Sequence, residues 1–105
     1  MKKEEFKKYR EKVLNDLTNY REGIEHNPDI ILSKLQIFWN DFKAAYKKWR
    51  EGEDYLSCPK DVFYFFPTVD TELSHIIDHL EETGEWRIPC AIRHFDDLLK
   101  MIRIK

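Results

Sequence analysis

His75 and His79, with Asp78 between them, are the residues of this 105-residue sequence whose types and spacing come nearest to metal chemistry. Four apart on a helix they share one face, and two imidazoles on one face are a common start of a zinc site. A catalytic zinc helix of the His-Glu-x-x-His kind needs a carboxylate directly after the first histidine, where this chain has Ile76. On a wheel of about 100° per residue with Leu73 at zero, the apolar stripe Val69, Leu73, Ile76, Ile77 and Leu80 spans roughly 300° to 40°, and the histidines fall near 200° and 240°. They are therefore read as surface histidines, and no metal or cofactor is expected.

A nucleophilic pair is the next possibility. Cys90 and His94 share a helix face, and Cys58 is the other thiol, but no third group to orient an imidazole is evident. Each cysteine adjoins a proline, and neither belongs to a close metal-type pair, so both are read as reduced thiols. With three glycines there is no phosphate loop, nucleophile elbow, calcium loop or dinucleotide fingerprint. The spacing Arg21-x4-His26 resembles that of HEPN-type ribonucleases, helical proteins in which both residues face a cleft at a dimer interface. The resemblance implies Arg21 as a transition-state cation and His26 as a proton-transfer residue. It rests on two residues, and Glu22 stands where the family has an amide-like polar residue. The other reading of His26 is a histidine at a helix C-terminus, favoured by the macrodipole.

All of these residues depend on helices. Phe6, Tyr9, Val13, Leu17, Tyr20 and Ile24 recur at steps of three and four, which predicts a helix over 3–25, ended by His26-Asn27-Pro28. Asn27 is placed to cap a second helix with Pro28 at its first position and Asp29 in its first turn. That helix carries Ile31, Leu35, Phe38, Phe42, Ala45 and Trp49 inward and ends before Gly52. The short connection makes the two an antiparallel hairpin. Residues 53–69 break the pattern, and the run Val62-Phe63-Tyr64-Phe65-Phe66 before Pro67 reads as a short strand or an extended plug over the helices, within an aromatic loop or β-like segment at 55–67. Thr68 or Asp70 then starts a third helix ending near Gly84. Pro89 opens a fourth, with Ile88, Ala91, Ile92, Phe95, Leu98, Leu99 and Ile102 inward.

The expected fold is an all-α antiparallel bundle of about four helices, two long and two shorter, forming one helical domain over 1–105. Fifteen aromatics among 105 residues supply ample core and argue against disorder despite 36% charged residues. No apolar run approaches the roughly 18 residues of a membrane span, and the charged start lacks a secretion signal, so a cytoplasmic protein is expected. Net charge is −2 but uneven: within 53–85 only Lys60 opposes nine acidic residues. Such a stretch repels nucleic acid and attracts basic surfaces. The basic residues Lys43, Lys47, Lys48 and Arg50 could form a phosphate-binding stripe, but acids interleave the first helix, and a nucleic-acid partner is not favoured.

Aromatics beside carboxylates are what a small protein needs to dock on a basic partner, the rings supplying contact area and the acids speeding encounter. The candidate interaction residues are therefore Tyr55, Asp61, Phe63, Tyr64, Phe65, Phe66, Asp70 and Glu72. The leading expectation is a non-enzymatic protein–protein interaction module, of the inhibitor or immunity type, that occludes a basic surface. A HEPN-like ribonuclease and a structural homodimer subunit are the alternatives.

Overall fold

Asn27 shows how the sequence writes its own boundaries. Its backbone is extended (φ −149°, ψ 97°), and its side-chain oxygen accepts from the amides of Asp29 and Ile30 at 3.2 and 3.3 Å. Pro28 follows at the first helical position, where a missing N–H costs nothing. In the computed structural model, which describes residues 3–24, 27–52 and 60–104 apart from the side chains of 60–63 and 104, this cap separates the first two of four helices. They are α1 (Lys3–Gly23), α2 (Pro28–Arg50), α3 (Lys60–Glu81) and α4 (Arg87–Ile104). None of them is long and apolar enough to cross a membrane.

Each helix packs on its neighbours in sequence, and α4 returns to α1, so the four close into a ring. The pairs run antiparallel. Tyr9 meets Phe42 while Tyr20 meets Phe38, and Trp49 meets Phe66 while Gln36 bonds Glu81. Gly23 lies directly against the Ile31 side chain of α2, which would have to shift to admit a Cβ there. The core cluster draws on all four helices, including Leu17, Leu35, Leu73 and Phe95, and no polar or charged residue is buried among the described residues.

The expected four-helix bundle is present, but one element differs from its reading. Residues 62–66, expected as a strand or plug within a loop or β-like segment at 55–67, are helical, and α3 starts at Lys60, well before Thr68 or Asp70. Three helices have 21–23 residues and α4 has 18, so the division into two long and two shorter is replaced by three of similar length and one slightly shorter. The physical reason is a stripe that runs unbroken through Pro67: Phe65, Phe66, Val69, Leu73, Ile76, Ile77 and Leu80 are all buried. Pro67 itself faces solvent. A proline inside a helix costs about 3 kcal/mol through a lost hydrogen bond and a clash with the preceding turn. The two phenylalanines beside it offset that cost.

Phe66 is fully buried at the centre of an aromatic cluster. Its ring lies 5.0 Å from Tyr46 and 5.3 Å from both Trp49 and Phe42, with Tyr9 of α1 at 5.6 Å. Phe65 turns the other way, edge-on to Phe6 at 5.2 Å. Truncating Phe66 leaves a cavity bounded by three helices that cannot all collapse inward. Phe66→Ala is expected to cost about 3–5 kcal/mol, read as a lowered midpoint in denaturant titration.

Candidate functional site

The residues expected to form an interaction patch are divided by α3 between interior and surface. Phe65 and Phe66 are 2% and 0% exposed and belong to the core, so they are corrected from docking anchors to packing residues. Tyr64, 54% exposed, looks outward. Asp70 accepts a hydrogen bond from the Trp39 indole of α2, and Lys43 Nζ covers that indole at 3.8 Å from its centroid. Glu72 lies 3.2 Å from His94 Nδ1 of α4. Tyr55 and the side chains of Asp61 and Phe63 fall outside the described residues. Two of the acids that were expected to face a partner thus join helices to one another.

The features read as chemistry are redistributed in the same way. Arg21 Nε lies 3.3 Å from Asp96 Oδ1 and ties α1 to α4, while His26 is outside the described residues. Cys90 is a free, half-buried thiol in the first turn of α4; Cys58 is outside the described residues. His75 is exposed, as the wheel predicts, and His79 is half-buried. What a wheel cannot show is their neighbour: His94 of α4 lies between them, its ring centroid 5.3 Å from His75 and 5.0 Å from His79.

The turn between α3 and α4 is a second place where surface groups converge. Gly84 has φ +120°, a conformation that side chains rarely permit, and a Cβ there would fall 2.8 Å from Trp86 Nε1. The indole of Trp86 therefore lies folded back against a bare glycine, 51% exposed, with His79 edge-on at 5.9 Å. Around it the sequence is acidic. Asp78, Glu81, Glu82 and Glu85 are all exposed, and no lysine or arginine occurs between 64 and 85. The next cation in the sequence, Arg87, caps α3: its Nη1 donates to the carbonyls of Leu80 and Glu82 at 3.2 and 2.9 Å, satisfying acceptors that the end of α3 would otherwise leave open.

A groove of about 230 Å³ runs between α1 and α2, lined by Tyr9, Lys12, Asp16, Tyr20, Phe38 and Asp41 among others. Burial pushes the Tyr9 phenol up to about 12 from its ordinary 10.0, and the Asp16 and Asp41 carboxylates add to the effect. Tyr20 is raised by the same causes in the same order. A phenol whose folded value exceeds its unfolded one holds its proton longer in the native state. Its contribution to stability is therefore complete below pH 10 and is lost as pH rises from about 10 through about 12. Ultraviolet titration of tyrosinate is expected to show a component near pH 12 that moves downward in Asp16→Asn.

The chain matches no family model, no curated protein and no solved structure, and any functional reading rests on its own geometry.

Proposed function

We propose that this protein is a non-enzymatic interaction module that docks on a basic surface of another protein through the α3–α4 turn. The single observation behind the reading is Trp86, half exposed and set against Gly84 at the acidic end of α3. A tryptophan already held in place loses little conformational freedom on binding and is a frequent hot spot. Asp78, Glu81, Glu82 and Glu85 supply the negative field that would attract a cationic partner and orient it. Inhibitors and immunity-type proteins that occlude a basic site act in this manner. A cytoplasmic setting, where thiols such as Cys90 stay reduced, is part of the proposal.

A second reading is self-association. Ile30 and Ile37 are 52% and 64% exposed, and with exposed Ala44 they form a heptad-spaced line on the outer face of α2. One experiment separates the two. Tagged protein is used to capture partners from cell lysate at low and high salt, alongside Trp86→Ala and the double variant Glu82→Lys/Glu85→Lys. The docking reading expects a basic partner that is lost at high salt and from the double variant, with Trp86→Ala weakening it by about 2 kcal/mol or more. Recovery of the same proteins by all three chains contradicts docking through this turn. Recovery of the chain alone favours the α2 face.

A further inference from the structure

Glu72 and His75 are three residues apart and therefore share a face of α3, and that face meets His94 of α4. We propose that Glu72, His75 and His94 form a binding site for a divalent transition-metal ion of the zinc class, with the His79 ring stacked on that of His94 beside it. One nitrogen or oxygen from each of the three residues lies within 4.8 Å of the others. In a tetrahedral zinc site, metal–ligand distances of about 2.0–2.2 Å place neighbouring donor atoms about 3.3 Å apart. The separation of His94 Nδ1 from Glu72 Oε2, 3.2 Å, is such an edge. His75 is exposed, so rotation of its side chain can bring its donor to the third corner without disturbing the core.

The surroundings also suit a cation. A shallow cleft of about 310 Å³ is lined by His75, Asp78, His79, Glu82 and His94. One carboxylate and two neutral imidazoles would leave a bound dication with a net single positive charge, and Asp78 and Glu82 border the same cleft. His79 stacks on His94 with an interplanar angle of 23°. Its Nδ1 is shielded from solvent without a hydrogen-bond partner, and Glu82, the carboxylate paired with it, stands 3.8 Å away, too far for a hydrogen bond. A donor set of imidazole nitrogens and one carboxylate selects zinc, nickel or cobalt over calcium or magnesium, which prefer oxygen. On binding, the ion takes the place of any proton shared between His94 Nδ1 and Glu72, and that proton passes to solvent. The result is a clasp joining α3 to α4, independent of whether Trp86 docks on a partner.

The test begins with full-length protein stripped by a chelator and titrated with zinc chloride by calorimetry, then with cobalt chloride by visible absorption. The proposal expects one ion per chain, a cobalt spectrum of tetrahedral type and a raised unfolding temperature with zinc. His75→Ala, at an exposed position that leaves the core intact, should weaken zinc by about tenfold or more, and Glu72→Gln and His94→Gln by at least as much. Absence of stoichiometric binding at micromolar free zinc overturns the site. So does an unchanged zinc affinity in folded His75→Ala/His94→Gln, which would place the ion elsewhere.

Discussion

The structure depends on the burial of two consecutive phenylalanines by a helix that carries a proline in its interior. Phe65 and Phe66 point about 100° apart on α3, so one ring reaches Phe6 of α1 and the other enters the stack of Phe42, Tyr46 and Trp49 on α2. Fully burying each ring is worth about 1.5–3 kcal/mol, and each well-oriented aromatic pair adds about 0.5–1.5 kcal/mol. Against the roughly 3 kcal/mol that Pro67 costs, the balance favours helix. An extended segment would turn alternate rings to opposite sides and could not bury both neighbours in one core.

Once the register of α3 is fixed, the acidic stretch of the sequence separates into two roles. Asp70 receives the Trp39 indole, and Glu72 faces His94, so these carboxylates hold α3 to α2 and α4. Asp78, Glu81, Glu82 and Glu85 remain on the surface beside Trp86. Arg87, the first cation after this stretch, is held by its guanidinium to the carbonyls that end α3.

Three helices were legible in the sequence because their inward residues follow the helical period without interruption. The cap at Asn27 and the stripe from Ala91 to Ile102 appear in the structure as the residue types imply. The first turns of α3 were not legible, because Val62 to Phe66 consists of β-branched and aromatic residues and Pro67 looks like a boundary. The signal lay in extending the register backward: Val69 minus three and minus four gives Phe66 and Phe65. The histidine cluster was half legible. His75 and His79 stand out by their spacing, whereas in the sequence Glu72 reads as a partner-facing acid and His94 as a possible partner of cysteine. Only the pairing of α3 with α4 brings these residues together, and no single helix encodes that contact.

The helical state of residues 64–69 is the point on which the rest turns, and backbone chemical shifts measure it directly. Assignment of the 13Cα resonances in the intact protein is predicted to give positive, helix-type deviations from random-coil values at Tyr64, Phe65 and Phe66, continuing beyond Pro67 through Val69. Negative, strand-type deviations across Tyr64 to Phe66 would contradict the account. They would remove the aromatic cluster of Phe65 and Phe66 with Phe6, Phe42, Tyr46 and Trp49 that starts α3.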